Sequence, residues 1–287
     1  MKHFIDIVDF SKKDILQFIK QALKMKQNPF DYNFLNNKNV GLIFEKPSTR
    51  TRVSFEVGIQ QLGGHAIVLK KDEIGLGDRE PVKDVSRVLS RYLDLVMIRT
   101  FEHSHLKEFV EYSSIPVING LTDYSHPCQA IADFLTLYEH FSSFEGIKIC
   151  YLGDGNNVSR SLVEISAICG VDCVISSPSE NKLNSAINFK YEKDPKKAIS
   201  GAHVVYTDTW VSMGDSAKSL EHFEQYQVNQ SLLSLADPKA IFLHCLPAHR
   251  GEEVTNDVIE STQSKVFDQA ENRLHAQKAI MKFLLEN

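Results

Sequence analysis

Hydrophobic positions near the start of the chain recur at helical spacing. Ser11 precedes this stretch and is a suitable N-cap residue, so we predict an amphipathic helix that begins after it. The apolar face of this helix consists of Ile15, Phe18, Ile19, Ala22 and Leu23. Short apolar runs of strand length then alternate with helical segments. Strands are predicted at 40–44, 66–69, 95–99 and 115–118, and a long helix at 127–141.

A second series of apolar runs begins at Ile147. Its strands are predicted within IKICYLG, VDCVIS, AHVVYTD and AIFLHCLP. Alternating strands and helices are typical of α/β folds with parallel sheets, so we predict two parallel-sheet α/β domains. The boundaries are 1–141 and 142–271, with a helix at about 272–287 that packs back on the first domain. The segment 177–194 is short and polar for a full helix–strand unit, so we predict that the second domain is reduced in size there.

Ligands of open parallel sheets bind beyond the carboxyl ends of the strands. The polar segments described below all follow predicted strands, which places the expected active site in the cleft between the two domains.

Composition narrows the function classes. The 287 residues are 43% hydrophobic, enough for a core in each domain. With 32 basic and 37 acidic residues, the net charge is −5 and no basic block exists, so no nucleic-acid partner is expected. The N-terminus MKHFIDIVDF lacks a signal-peptide pattern and no apolar run has transmembrane length, so we expect a cytoplasmic protein without a membrane partner. Five cysteines without CxxC pairs argue against a disulfide framework and a zinc site.

The stretch FEKPSTRTRVSFE joins a buried strand to a helix. Ser48 is the predicted N-cap, and the first backbone N–H groups of a helix favour a bound anion. Ser48, Thr49, Arg50 and Thr51 supply hydroxyls and a guanidinium at that point. Arg50 and Arg52 lie about 200° apart around the helix axis, so we assign Arg50 to the anion and Arg52 to structure. An ordinary capped helix with surface arginines is the alternative.

GDGNNVSRSL follows a strand and contains GxG, yet it falls short of the dinucleotide fingerprint. Val158 occupies the third glycine position, and the next strand ends in SSPS where a ribose-binding acid is expected. We therefore do not expect NAD binding. Asn156 and Asn157 either bind a small polar substrate or simply cap the helix.

HPCQ places Pro127 at a predicted helix N1 position, with His126 just outside the helix and Gln129 within its first turn. A histidine near a helix N-terminus and near arginines should resist protonation, and a neutral imidazole can donate one hydrogen bond to a carbonyl. Arg99, at the end of a predicted strand, is its expected cationic companion. A plain helix cap is an equally good interpretation of this motif alone.

Two further strand ends carry candidate chemistry. Asp208 lies at the end of one strand, and Ser212 and Met213 lie in the loop that follows it. Cys245 and Leu246 lie at the end of the next strand. An acid and a thiol can hold an amine. The alternatives are a turn residue for Asp208 and a small buried residue for Cys245. His244 and Cys245 resemble a metal site only superficially, since adjacent strand residues point to opposite faces.

The motifs KPSTRTRVSFE, MIRT, HPCQ, GDGNN, DTWVSMG, HCLP and AENR occur in an order that closely resembles the aspartate/ornithine carbamoyltransferase family over nearly the whole chain. The SMG and HCLP segments resemble its ornithine branch. The resemblance implies transfer of a carbamoyl group from carbamoyl phosphate to ornithine, with no metal or organic cofactor. It also implies a homotrimer or a multiple of trimers, and arginine biosynthesis as a role, although synthesis and citrulline breakdown use the same site.

The same resemblance assigns roles to individual residues. The residues that it implies for binding carbamoyl phosphate are Ser48, Thr49, Arg50, Thr51, Arg99, His126, Gln129, Cys245, Leu246 and Arg273. The residues that it implies for binding ornithine are Asn157, Asp208, Ser212 and Met213. The residues it implies as catalytic are Arg99, His126, Asp208, Cys245 and Arg273.

One position departs from the family pattern. Gly75 stands where relatives carry a polar side chain that crosses a subunit interface. Either Lys70, Lys71 or Asp78 replaces that group, or phosphate binding is weaker. A non-catalytic relative that binds a small anion or a partner is the other class of function to consider. We favour the enzyme because every motif position holds a chemically competent residue.

Overall fold

The computed structural model describes residues 1–211 and 220–286. The chain divides into two compact units, Met1–Leu135 together with Glu271–Asn287, and Thr136–Ala270. This division falls inside the helix Pro127–Phe141, whereas the sequence placed the boundary after residue 141. Within the described residues, no helix has the length and apolar character needed to cross a membrane.

The first unit contains a four-stranded parallel sheet in the order β2-β1-β3-β4. Its strands are β1 Asn39–Phe44, β2 His65–Lys70, β3 Leu95–Arg99 and β4 Val117–Leu121. The helices along this part of the chain are α1 Lys12–Gln27, α2 Thr49–Gln61, α3 Lys71–Ile74, α4 Val82–Leu89, α5 His103–Tyr112 and α6 Pro127–Phe141. A short 3-10 helix, Ile7–Asp9, precedes α1.

The second unit contains a five-stranded parallel sheet in the order β7-β6-β5-β8-β9. Its strands are β5 Lys148–Leu152, β6 Asp172–Ser176, β7 Lys190–Tyr191, β8 Val204–Thr207 and β9 Ile241–His244. The later helices are α7 Asn157–Cys169, α8 Pro195–Ile199, α9 Gln230–Leu233, α10 Asn256–Ile259 and α11 Val266–Glu286, with 3-10 helices at Ser179–Asn181 and Glu221–Tyr226. The predicted class, two parallel-sheet α/β domains, is confirmed.

The fourth strand starts and ends later than predicted. The sequence placed it at 115–118, but β4 covers Val117–Leu121. Asn119 and Gly120 lie beyond the predicted end, yet both belong to the strand. The Asn119 amide is buried and donates to the Ile5 carbonyl oxygen, 2.9 Å away. A Cβ on Gly120 would lie 2.2 Å from the Met97 sulfur, so the close packing of β3 on β4 requires glycine there.

The segment 177–194 is short, as expected. It contains only a three-residue 3-10 helix and the two-residue strand β7, which pairs with β6 through Lys190 and Tyr191. Residues 177–194, all of which the structure describes, contain no α-helix.

Helix α11 ends in the first unit, where Lys278 is fully buried. Its ammonium donates to the Gln61 side-chain oxygen at 2.8 Å and to the carbonyl oxygens of Pro29 and Met25 at 3.3 and 3.4 Å. Burial lowers the pKa of Lys278 to about 8. These bonds fix α11 against α1 and α2, and thereby fix the position of Arg273 one and a half turns earlier.

Candidate active site

The N-terminus of α2 has the geometry of an anion site. Ser48 is its N-cap, and its Oγ accepts a hydrogen bond from the Thr51 N–H at 3.2 Å, which confirms the predicted cap. Arg52 pairs with Glu56 at 3.2 Å, in agreement with a structural role. The Arg50 guanidinium forms no hydrogen bond or ion pair with any residue in 1–211 or 220–286. This helix start therefore presents a partly buried cation that the described protein does not neutralise.

A buried polar cluster surrounds the Thr51 hydroxyl. Arg273 Nη2 lies 3.1 Å from Thr51 Oγ1, and Arg99 Nη1 lies 3.5 Å from the same oxygen. Arg273 Nη1 also donates to Gln129 Oε1 at 2.8 Å, and Gln129 in turn donates to Asp133 at 2.8 Å. None of Thr51, Arg99, Gln129 or Arg273 is more than 8% exposed. The first unit thus concentrates positive charge where water is excluded, which strengthens its effect on an anionic ligand.

His126 lies beside this cluster, immediately before α6. Burial, together with the positive charges of Arg273 and Arg99, holds its pKa well below the ordinary histidine value. The expectation that His126 resists protonation is confirmed. A neutral imidazole can donate a single hydrogen bond to a carbonyl oxygen without adding a proton to it.

Asp208 follows β8 and is held by two donors of the second unit. Its Oδ2 accepts from Asn156 Nδ2 at 2.9 Å, and its Oδ1 accepts from Cys245 Sγ at 2.9 Å. Asn156 is also the N-cap of α7, because its Oδ1 accepts from the N–H groups of Val158 and Ser159. The cap interpretation is thus confirmed for Asn156, and the structure adds a second role in orienting Asp208. Asn157 is the first residue of α7.

The described site residues fall into two groups, one in each unit. Ser48, Thr49, Arg50, Thr51, Arg99, His126, Gln129 and Arg273 belong to the first unit, whereas Asn157, Asp208, Cys245 and Leu246 belong to the second. Ser212 and Met213 lie outside the described residues. The location of the site in a cleft between the units stays a prediction.

A buried network that the sequence interpretation missed supports Cys245 and Leu246. His244 Nε2 lies 3.0 Å from Glu253 Oε1, and its Nδ1 accepts from the Leu246 N–H at 2.9 Å. Both His244 and Glu253 are fully buried. The bond from Leu246 occupies Nδ1 as an acceptor, so the ring proton resides on Nε2. Leu246 adopts the left-handed conformation, with φ at 57°, which this network stabilises.

Asp208, His244 and Cys245 lie closer together than the alternation of strand residues predicted. Asp208, His244 and Cys245 each offer a ligand atom, and these atoms lie within 4.8 Å of one another. Strand alternation did not separate His244 from Cys245, because β9 ends at His244. Both ring nitrogens of His244 are already engaged, however, by Leu246 and Glu253. A metal ion here would have to break one of those bonds.

Gly75 ends the short helix α3 in the left-handed conformation, with φ at 50°. A Cβ at this position would lie 2.8 Å from the Arg79 Cβ, so the local turn disfavours a larger residue. Among the proposed replacements, Lys71 places its ammonium 5.7 Å from the Phe101 ring centre. The identity of the replacing group stays a prediction.

Thiol reactivity should single out Cys245. Cys128, Cys150, Cys169 and Cys173 are buried, and only Cys245 is partly exposed. Burial raises the pKa of Cys128 and of Cys173 to about 12, so neither forms a reactive thiolate near neutral pH. We expect an aromatic disulfide reagent at pH 8 to modify about one thiol per native chain. Cys245→Ser should abolish this modification. Rapid modification of the substituted protein would contradict the assignment of the reactive thiol to Cys245.

Comparison with known families adds a second line of evidence. Residues 2–139 match the family model described as aspartate/ornithine carbamoyltransferase, carbamoyl-P binding domain. Residues 145–284 match the model described as aspartate/ornithine carbamoyltransferase, Asp/Orn binding domain. The two matches together cover almost all of the chain.

Individual relatives agree with the family models. The chain is 47% identical to an ornithine carbamoyltransferase of Archaeoglobus fulgidus over 300 residues, covering 99% of this chain and 98% of the relative. It is 48% identical to one of Caldicellulosiruptor saccharolyticus over 303 residues, with the same coverage. A solved structure of an ornithine carbamoyltransferase from Pyrococcus furiosus superposes with a TM-score of 0.95 at 41% identity, covering 100% of this chain and 97% of that one.

Proposed function

The chain belongs to the aspartate/ornithine carbamoyltransferase family, and from this we propose that it transfers the carbamoyl group of carbamoyl phosphate to the side-chain amine of L-ornithine. The products are citrulline and phosphate. The observation that carries the proposal is the convergence of Arg99 and Arg273 on the Thr51 hydroxyl, one turn from the anion-binding start of α2.

The first unit supplies the groups that carbamoyl phosphate requires. Backbone N–H groups and hydroxyls at the start of α2 hold the phosphate, and Arg50 contributes the cation. Thr51, Arg99 and His126 polarise the carbamoyl oxygen. Gln129 Oε1 can accept from the carbamoyl NH₂, and Arg273, which donates to that same oxygen at 2.8 Å, helps to fix the orientation of the group as a donor. Cys245 and the Leu246 carbonyl complete the set, as the family resemblance assigns them.

The second unit supplies the groups that an α-amino acid requires. Asp208 binds the α-ammonium, and Asn157 with the Met213 N–H binds the α-carboxylate. Ser212 assists Asp208. Asn156 and Cys245 hold the two oxygens of Asp208, so this carboxylate is oriented before the substrate arrives.

The reaction joins the two substrates by nucleophilic addition. The neutral side-chain amine attacks the carbamoyl carbon, a C–N bond forms, and negative charge develops on the carbonyl oxygen. Arg99, His126 and Thr51 stabilise that charge as it appears. The C–O bond to phosphate then breaks, and phosphate leaves with both electrons. The proton lost from nitrogen passes towards the Cys245–Asp208 pair or to the phosphate.

Substrate choice follows from the second unit. Putrescine lacks the carboxylate that Asn157 and Met213 would bind, and leaving polar groups unpaired can cost orders of magnitude in discrimination. Aspartate as acceptor needs additional basic residues near residues 208–216, and the sequence has none before Lys218. We therefore expect ornithine to be preferred over putrescine, lysine and aspartate. Initial rates with each amine, at equal concentration and saturating carbamoyl phosphate, test this. If putrescine or aspartate reacted as fast as ornithine, ornithine would be refuted as the preferred acceptor, but carbamoyl transfer itself would not be refuted.

Replacing His126 by alanine is expected to lower kcat by about 10- to 100-fold and to change the KM for ornithine far less. The reason is that its hydrogen bond strengthens as charge develops on the carbonyl oxygen. Because the pKa of His126 is lowered well below the ordinary value, we expect no loss of activity from its protonation between pH 6 and 9. Steady-state kinetics and thermal melts are measured together. A lower melting temperature with unaltered kcat would assign His126 to a capping role instead.

We also propose that the chain acts as a homotrimer or a multiple of trimers, in the cytoplasm, in arginine biosynthesis. The family resemblance supports the assembly and the pathway. The free cysteines of the described chain agree with a reducing compartment. Light scattering of the purified protein measures the assembly, and a monomer that forms citrulline would refute it.

A further inference from the structure

We propose that Asp6, His103 and Ser125 form a clamp that positions His126 for carbamoyl transfer. Here "the clamp" means these three side chains. The inference rests on the proposed function, in which His126 donates a hydrogen bond to the carbamoyl oxygen. Ser125 immediately precedes His126, so any force that fixes Ser125 restricts the backbone that carries the imidazole. Asp6, His103 and Ser125 are positioning residues, since none of them is assigned a contact with substrate.

Asp6 is the charged centre of the clamp. Its Oδ1 accepts a hydrogen bond from Ser125 Oγ at 2.5 Å, and its Oδ2 lies 3.2 Å from His103 Nε2. The side chains of Asp6 and His103 are each only 11% exposed. Each carboxylate oxygen thus engages a different element of the fold, one the loop before α6 and the other the start of α5.

Ser125 is held from several sides at once. Its hydroxyl also accepts from Asn119 Nδ2 at 3.0 Å. Its N–H donates to Thr122 Oγ1 at 3.3 Å, and its carbonyl oxygen accepts from the Thr122 N–H at 3.0 Å. His103 returns to the same loop, because its Nδ1 lies 3.0 Å from Thr122 Oγ1. Ser125 is fully buried, so these bonds are protected from water.

The ionised form of Asp6 gives the clamp its strength. Burial raises the pKa of Asp6, but the hydrogen bond from Ser125 and the proximity of His103 and Lys107 outweigh it, so the pKa is lowered overall. Hydrogen bonds to a carboxylate are roughly twice as strong as those between neutral groups. Asparagine at this position would offer one acceptor and turn an NH₂ towards one of the two donors.

The test is a double-mutant cycle between Asp6→Asn and His126→Ala. With His126 present, Asp6→Asn should lower kcat by about 10-fold and leave both KM values within about 2-fold, because misplacing a catalytic group affects the transition state most. In the His126→Ala background the same substitution should have almost no effect on kcat, since the group it positions is gone.

Asp9→Asn is the matched control. It removes a carboxylate three residues away, and the Asp9 side chain accepts a hydrogen bond from the Asp6 N–H at 3.3 Å. Its kcat should stay within about 2-fold of wild type. Ser125→Ala is a second variant should Asp6→Asn fold poorly. It removes the hydrogen bond from Ser125 to Asp6, and we expect kcat to fall about 3-fold. This loss should also be absent in the His126→Ala background.

Equal losses of kcat in both backgrounds would overturn the clamp, because a purely structural defect does not depend on His126. A wild-type protein that forms no citrulline would refute the proposed function instead. In that case a crystal structure of Asp6→Asn still tests whether the clamp positions His126. A displaced or multiply oriented His126 ring supports it, and a ring that superposes on wild type overturns it.

Discussion

Replacing Arg50 by alanine is expected to lower turnover by about 10²- to 10³-fold while the protein stays folded. Arg50 is partly buried at the start of α2, and no described residue neutralises its guanidinium. In the proposed reaction this cation faces a phosphate whose negative charge increases as the C–O bond breaks. Loss of a preorganised cation at that point raises the barrier directly, since each tenfold loss of rate corresponds to about 1.4 kcal/mol.

Arg52→Ala provides the control for Arg50. The two arginines lie two residues apart on one helix, but Arg52 pairs with Glu56 on the exposed surface at 3.2 Å. We expect Arg52→Ala to retain turnover within a few fold of wild type, because exposed pairs of this kind contribute only about 0.3–0.5 kcal/mol to stability. Steady-state rates and melting temperatures of both variants are compared. Arg50→Ala with more than about a tenth of wild-type turnover would remove Arg50 from the site.

Asp208→Asn should be almost as damaging, with a loss of about 10²-fold or more in kcat/KM for ornithine. The substitution keeps the size of the side chain but removes the charge that we propose binds the α-ammonium. It also disturbs the contacts with Asn156 and Cys245, since an amide nitrogen would face one of these two donors.

The effect of Asp208→Asn should be confined to the amino acid. Binding of carbamoyl phosphate, measured by calorimetry in the absence of ornithine, should change by no more than about 2-fold, because the residues proposed to bind its phosphate belong to the first unit. A variant that loses carbamoyl phosphate affinity but keeps its KM for ornithine would contradict the assigned role.

Much of the fold could be predicted from the sequence because local patterns agree with the global structure. The helix α6 was predicted with its observed bounds, since Pro127 marks its start and the apolar pattern fixes its length. Ser48 was predicted as an N-cap from its place between a strand and a helix. The error at β4 arose where a buried asparagine and a glycine replace the usual apolar residues.

The site was harder to predict, because its contacts join distant parts of the chain. Arg273 is 144 residues from Gln129 and 222 from Thr51. No spacing rule connects these positions, so Arg273 was identified only through the family resemblance. Local rules did identify Arg50, because its place in the first turn of α2 can be read from the N-cap Ser48.

Second roles were missed for a related reason. Asn156 satisfies the rule for a helix cap, and that rule contains no information about Asp208, 52 residues further on. The pair of His244 and Glu253 likewise looked unremarkable in sequence, although both are buried and together support Leu246. A histidine at the end of an apolar strand, with a glutamate in the next loop, is the only signal that the sequence offered.

The most direct test of the account follows the carbamoyl carbon itself. The protein is incubated with ¹³C-labelled carbamoyl phosphate and L-ornithine, and carbon NMR identifies the product while phosphate release is measured in parallel. We predict that the label appears in the ureido carbon of citrulline, one citrulline for each phosphate released, with Arg50→Ala close to the enzyme-free rate. Phosphate release without labelled citrulline, or labelling on the α-amino group, would contradict carbamoyl transfer to the ornithine side chain.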